Sequence, residues 1–457
     1  MGSQKSSDLL KKYDVPVPRY TSYPTVPFWN SSVNVQQWKK TFKNQFLLAN
    51  EKEGFSLYVH LPFCESLCTY CGCNKKITTN HSVEDSYISA LISEWGMYCE
   101  LMDEVPVIRE IHFGGGTPTF FSSTNLHKLL DAVLGNSIIH TDHNFSFEGH
   151  PNNTTEEHLQ TLYNLGFRRV SYGVQDNDPV VQKAINRMQP LENVKRASDL
   201  ARKIGFQSVN FDLIYGLPFQ TLESIRKTIT DSIALGPDRF AFYSYAHVPW
   251  TSKSQRLFTE SDLPAANLKM ALYEEGIKLF KQHHYHQIGM DHFVLENDDL
   301  LKALRSGSLH RNFMGYTTQH TRLQLGLGVS AISDTGTAYA QNSKSLHEYY
   351  ISIRKKELAV EKGCFLNHED EVFKKYILDI SCNGETNFNT QHYEKLKTFT
   401  FPILEQLQKD GLVHFTERYL EVTALGKNFT RNICRAFDLR LLKTPNDHER
   451  TVYSKAV

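Results

Sequence analysis

The chain has no excess of charge of either sign: 50 Lys and Arg balance 50 Asp and Glu over 457 residues. Without a basic surplus there is no bulk electrostatic footprint for a nucleic acid. No run of 18 apolar residues occurs, so no segment reads as a membrane-spanning helix. Residues 1–7 are polar and lack the apolar centre of a secretory signal, which gives a cytoplasmic expectation. There is no short-period repeat or low-complexity tract. Cysteine is scarce, at 8 residues, too few for the disulfide framework of a secreted scaffold. What is present is an ordinary apolar share of 40%, with 12% aromatics, enough for a sizeable core. The length suits a large catalytic domain with additions, because single cores stop growing at about 250–300 residues.

Half of the few cysteines fall together: Cys64, Cys68, Cys71 and Cys73 lie within ten residues. The first three are spaced C-x3-C-x2-C. Thiolates that close can hold three irons of a [4Fe–4S] cube and leave the fourth iron open, whereas clusters that only carry electrons usually have four protein thiolates. Structural zinc favours two pairs separated by a longer loop, and no second C-x2-C pair exists. Cys73 admits three readings: a fourth ligand, a structural thiol or a group near the active site. Cys99, Cys364, Cys382 and Cys434 are scattered and read as small buried hydrophobes.

From about 54 to 250, short β-branched and aromatic runs alternate with segments of helical period. Strands are predicted at 55–61, 108–113, 144–148, 169–174, 208–214 and 239–245. Helices are predicted at 84–101, 124–134, 156–165, 191–204 and 222–235, with Gly135, Gly166, Gly205 and Gly236 as candidate caps. Six β-α units in series predict an α/β fold with a parallel sheet, and function in such sheets collects at the carboxyl ends of the strands. Residues 262–350 read as helix mixed with Gly-rich turns, including Gly326-Leu327-Gly328. From about 365 onward the pattern is helical, closing in two short strands around 411–423, compatible with a winged-helix-like structural cap.

Motifs fall at strand ends. Gly114-Gly115-Gly116-Thr117-Pro118 follows the second strand, and glycines there let the backbone approach a ligand closely. Glu148, Gln175 and Asp212 follow at three further strand ends. A lone strand-end carboxylate is as often a helix N-cap, but three in succession suggest a shared pocket for ribose hydroxyls and ammonium groups. Arg187 offers a fork for a ligand carboxylate, or is a solvated helix charge.

Cys64, Cys68 and Cys71 with the 114–118 run resemble the radical S-adenosylmethionine (radical SAM) enzymes. Segments 18–24, 58–74, 114–118, 173–176, 212–218, 245–247, 288–293, 310–319, 328–333, 339–342 and 431–434 narrow the resemblance to the oxygen-independent coproporphyrinogen III dehydrogenase family of haem synthesis. The resemblance implies a partial (β/α)6 radical SAM barrel (51–260), an N-terminal arm (1–50), a barrel-completing, substrate-covering region (261–360) and a mainly helical C-terminal domain (361–457). It implies a [4Fe–4S] cluster on Cys64, Cys68 and Cys71, and one SAM on the open iron. Tyr58, Gly115, Gly116, Thr117, Glu148, Gln175, Arg187 and Asp212 match positions that line that site, with Tyr58 and Glu148 among the catalytic set. A second SAM is implied by Cys73, Ala246 and Ile332. The implied reaction is radical hydrogen abstraction from two propionates of coproporphyrinogen III, each losing CO2 and one electron to leave a vinyl group, so that protoporphyrinogen IX results. An electron donor and an acceptor are required, and a monomer with no nucleic-acid or membrane partner is expected.

For a tetra-anionic substrate the local cations Arg19, His292, His310 and Arg311 are candidates, or ordinary surface charges. Two positions depart from the better-known members: His150 after Glu148-Gly149, and Met314. The competing readings are a haem-degrading or methylating radical SAM enzyme, a haem chaperone and a zinc-stabilised interaction protein. The first should lack the 18–24 and 310–319 segments; both are present.

Overall fold

The computed structural model describes residues 9–444 and 453–455; the polar stretch 1–7 lies outside them. The six predicted strands form, in chain order, β1 (Phe55–Leu61), β2 (Val107–Gly115), β3 (Ile138–Gly149), β4 (Phe167–Gln175), β5 (Ser208–Tyr215) and β6 (Arg239–Ser244). They are neighbours in that order and parallel throughout. The helices between them include Val83–Cys99, Ser123–Leu134, Glu156–Asn164, Leu191–Ile204 and Leu222–Ala234. This is the right-handed β-α repetition that winds a parallel sheet into an open barrel.

Alternation along the strands decides which face does what. Successive side chains point to opposite faces, so Ile111 and Phe113, Phe145 and Phe147, and Phe211 and Leu213 are buried on the apolar side. The intervening residues Glu110, His112, Ser146, Glu148, Asn210 and Asp212 line a cavity of about 100 Å³ on the other side. The inside of the barrel is therefore polar, and the hydrophobic core lies between sheet and helices.

Two sequence expectations are corrected. The Gly-rich stretch near 326 is not a turn: Gln324–Leu327 is a fully buried strand, parallel to β1, that adds a seventh parallel member to the sheet. Gly326 permits it, because a Cβ there would lie 2.5 Å from the Ile332 carbonyl oxygen. Four residues, one of them a glycine, carry too little period-2 signal to announce a strand. Gly135 does cap its helix, its N–H donating to the Asp131 carbonyl at 2.9 Å, but not in the left-handed form. It follows its helix with φ −61°, in the right-handed region, whereas Gly205 caps with φ 114°, as expected of a left-handed C-terminal glycine.

Residues after β6 extend both edges of the sheet. His292–Val294 pairs antiparallel with β6, while Ile332–Asp334, Ala338–Asn342 and Val360–Phe365 continue beyond Gln324–Leu327. The C-terminal region packs helices His368–Asn383 and Phe401–Lys409 against three short antiparallel strands, two of them in the predicted place. No helix of the described residues is long and apolar enough to cross a membrane.

Candidate active site

The cysteine loop leaves the carboxyl end of β1 and is fixed by bonds that use none of its sulfurs. The Lys76 N–H donates to the Pro62 carbonyl at 2.8 Å, and the Thr78 N–H to that of Cys64 at 2.9 Å. The Thr69 N–H and hydroxyl reach the carbonyls of Ile185 and Ala184, and Asn186 donates to the Leu67 carbonyl at 2.8 Å. The glycine run closes the other side: the Gly116 N–H donates to Leu61 and the Thr117 N–H to Phe63. A Cβ on Gly116 would lie 2.5 Å from the Pro62 oxygen and 2.9 Å from that of Phe63. Backbone cannot yield that much, so Gly116→Ala is expected to displace the loop and lose most of its bound iron after reconstitution, as measured by iron analysis.

Loop and glycine run wall a cavity of about 370 Å³ with Cys64, Cys68, Cys71, Gly115, Gly116, Thr117, Glu148, Gln175, Arg187 and Asp212 in its lining. Nearly all the predicted site residues thus meet in one place. Thr117 donates to the Cys64 sulfur at 3.3 Å, and Arg187 to the Cys68 sulfur at 3.6 Å and to the Gly173 carbonyl at 2.6 Å. Burial pushes the Cys64 thiol up to about 11, while its hydrogen bond with Cys73, then Lys75 and Arg187, holds Cys71 below its ordinary value. Cationic and hydrogen-bonding neighbours of this kind favour thiolates. Among the described residues no three of His, Cys, Asp or Glu converge on a point for one metal ion. Three thiols on the wall of one cavity suit a cube, in which each thiolate ligates a different iron. The Arg187 Nε is buried without a partner among the described residues, and Gln175 holds a left-handed φ of 68°. Both are marks of a wall shaped for a ligand. The donor set therefore fits a [4Fe–4S] cluster with a polar molecule beside it.

The N-cap alternative fails for the strand-end groups, because Thr155, Asp178 and Thr221 cap the helices that follow β3, β4 and β5. Burial would raise Glu148, but its hydrogen bond to His112 at 3.5 Å and the Gly115 N–H at 3.3 Å hold it below the usual carboxylate range. Tyr58 stands behind it, hydrogen-bonded to His60 at 3.0 Å and stacked on His112. His150 lines the cavity, and burial, then Arg187, lowers it to about 2, so it is neutral. Asp212 accepts from Ser171 at 3.1 Å and Asn210 at 2.8 Å. Burial, then the Glu148 charge, pushes it up to about 6. A folded-state value above the unfolded one means that stability falls as pH rises from about 4 to about 6, and stays lower above that by at most roughly 3 kcal/mol. Asp212→Asn is expected to melt above the parent, cofactor-free, at about pH 8 and level with it near pH 4. An equal gap at both pH values would refute this.

A second cavity of about 470 Å³ adjoins the first and shares Cys73, Glu148 and Tyr243 with it. Arg19, His292, Arg311 and Met314 line it, as do Lys427 and Arg431, which sequence reasoning missed although 431–434 lay in a matching segment. His310 is elsewhere: it is not in the lining of this cavity and stands beside His320 and Lys374. Ala246 and Ile332 are not among the residues lining the two cavities. Ala246 accepts from Gln255 and Ile332 packs near Trp29 and Tyr339.

The radical SAM superfamily matches residues 58–231, the stretch that carries β1 to β5 and the thiols. The solved coproporphyrinogen III oxidase from Escherichia coli, described as a radical SAM enzyme, superposes with a TM-score of 0.87 at 36% identity, covering 93% of this chain and 100% of that one. The oxygen-independent coproporphyrinogen III oxidase of Helicobacter pylori strain 26695 is 39% identical over 441 residues, 94% of this chain and 96% of its own. That of Escherichia coli K12 is 37% identical over 444 residues, 95% of each. The chain belongs to the oxygen-independent coproporphyrinogen III oxidase family.

Proposed function

We propose that this protein converts two propionate side chains of coproporphyrinogen III to vinyl groups without oxygen, giving protoporphyrinogen IX. The observation that carries the reading is the pair of joined cavities, one walled by thiols and glycine backbone, the other by cations from three distant segments. A [4Fe–4S] cluster would be held by Cys64, Cys68 and Cys71 and, with SAM beside it, would supply the one-electron, hydrogen-abstracting chemistry needed at the propionate β-carbon. The carbon–carboxylate bond then breaks, CO2 leaves, and one electron passes to an acceptor.

The protein's part is positioning and exclusion. Gly115, Gly116, Thr117 and Gln175 offer backbone and amide groups to SAM, Arg187 its fork, and Glu148 and Asp212 carboxylates for ammonium and ribose hydroxyls. Tyr58 keeps His60 and His112 aligned behind Glu148. Arg19, His292, Arg311 and Lys427 face the carboxylates of the substrate. A second SAM would stand by Cys73, which borders both cavities; Ala246 and Ile332 support this less, standing outside both linings. The division into arm (1–50), barrel (51–260), completing region (261–360) and C-terminal domain (361–457) accords with strands that extend both sheet edges after residue 261. We take the protein to act in the cytoplasm as a monomer, apart from membrane and nucleic acid, with separate donor and acceptor of electrons.

The test is an anaerobic assay of reconstituted protein with SAM, a reductant and coproporphyrinogen III, read by mass spectrometry. Protoporphyrinogen IX with matching 5′-deoxyadenosine is expected. SAM cleavage with no CO2 lost from the porphyrinogen would overturn the assignment and favour the haem-directed alternative.

A further inference from the structure

Asp176 closes the motif Gly173-Val174-Gln175-Asp176, yet it is fully buried and absent from the lining of the thiol cavity. Its carboxylate takes three donors. One oxygen accepts from the Asp178 N–H at 2.7 Å and the Thr228 hydroxyl at 2.9 Å, the other from the Gln220 amide at 2.6 Å. Its carbonyl accepts from the Gln182 amide at 2.9 Å. Burial pushes the carboxyl up to about 6, so it is largely ionised at neutral pH and can accept from all three.

Each of these bonds reaches a segment that presents a residue to the thiol cavity. Gln175 precedes Asp176 and holds a φ of 68°; such a backbone persists only where its surroundings fix it. Here the Asp176 N–H closes on the Val174 carbonyl at 2.9 Å, and its side chain ties the turn to Asp178. Gln182 donates also to the Gln189 carbonyl at 2.9 Å and accepts from the Gln189 N–H at 3.0 Å, while its own carbonyl accepts from the Arg187 N–H at 2.8 Å. The turn that carries Arg187 is thus clamped to Asp176 through one amide. Gln220 donates also to the Ile214 carbonyl at 2.7 Å and accepts from the Leu217 N–H at 3.0 Å. That fixes the end of β5 two residues beyond Asp212. Gln182, Gln189, Gln220 and Thr228 are all buried, where polar bonds are strong and a donor left unserved is costly.

We propose that Asp176 is a positioning residue of the SAM site, holding Gln175, Arg187 and the end of β5 behind Asp212 in one arrangement. The inference rests on the function proposed for the thiol cavity. Asp176 acts through Gln175, Gln182 and Gln220 and does not touch the cofactor.

The test compares Asp176→Asn with Tyr172→Phe, which removes a buried hydrogen bond to the Ala197 carbonyl from the same strand, outside the cavity lining. An Asn amide has one acceptor oxygen, so its NH2 must face either the Gln220 amide or the Asp178 N–H. SAM binding to reconstituted holoenzyme is read by calorimetry, and backbone hydrogen exchange of cofactor-free protein by mass spectrometry. In Asp176→Asn, SAM affinity should fall about tenfold or more, and exchange should rise at 174–189 and 214–220 above the rest of the chain. The KM for coproporphyrinogen III should hold, since neither Asp176 nor its partners line the cationic cavity. Tyr172→Phe should keep parent values for all three, whatever its melting temperature. Parent SAM affinity in Asp176→Asn, or an equal loss in Tyr172→Phe, overturns the proposal. Should Asp176→Asn fail to fold, Thr228→Val decides in its place: it removes one donor and no charge, a several-fold loss of SAM affinity is expected, and an unchanged affinity overturns the proposal. If the parent itself binds no SAM, the function reading falls, while the exchange comparison still decides whether Asp176 holds these segments.

Discussion

Cys68→Ala is expected to yield a folded, colourless protein with no SAM cleavage. The sulfur stands 3.6 Å from the Arg187 guanidinium on the cavity wall. Without it two thiolates remain, too few to hold a cube against loss. The fold should survive, because the loop is held by Thr69, Lys76, Thr78 and Asn186 through backbone carbonyls. Exchanging one partly exposed thiol for a methyl group should therefore shift stability by no more than about 0.5 kcal/mol. Iron content, visible absorption, 5′-deoxyadenosine yield and thermal melting are the four readings. Full iron loading with retained cleavage would show that Cys68 is not a ligand, and a melting loss of several degrees would show that the thiol is structural.

The second large effect is expected at Arg311. Its guanidinium donates to the carbonyls of Arg19 at 3.1 Å and Tyr20 at 3.0 Å, stands over the Tyr316 ring and lines the cationic cavity. It thus fastens the N-terminal arm and offers charge to a substrate carboxylate. Arg311→Ala removes both, leaving the Arg19 and Tyr20 carbonyls without this donor and a carboxylate unmatched. Losses of this kind run to about 2–5 kcal/mol, so the KM for coproporphyrinogen III should rise about a hundredfold or more. SAM affinity should hardly change, since Arg311 is absent from the lining of the thiol cavity. Arg311→Lys keeps the charge but not the double donation and should fall between. An unchanged KM in Arg311→Ala would remove the residue from substrate binding.

How much was legible beforehand follows from range. The thiol triplet, the glycine run and the six parallel strands are local patterns: spacing along ten residues, or a period within one element, carries the information. Glu148, Gln175 and Asp212 could be read as one pocket because a parallel sheet brings its strand ends together. Gln324–Leu327 escaped because a buried four-residue strand with a glycine has no period to read. The polar barrel interior was implicit in alternation, yet only the sheet's curvature says which face is inside.

By itself, then, the chain determined the chemistry it can host: which thiols, which glycines, which strand ends, since each depends on neighbours in sequence. Tertiary structure decided what that chemistry can reach. Arg19, Arg311 and Arg431 stand more than a hundred residues apart and meet at one cavity only because the arm, the 310–317 hairpin and a C-terminal helix pack over the barrel mouth. His310, next to Arg311 in sequence, falls outside that set and stands beside His320 and Lys374.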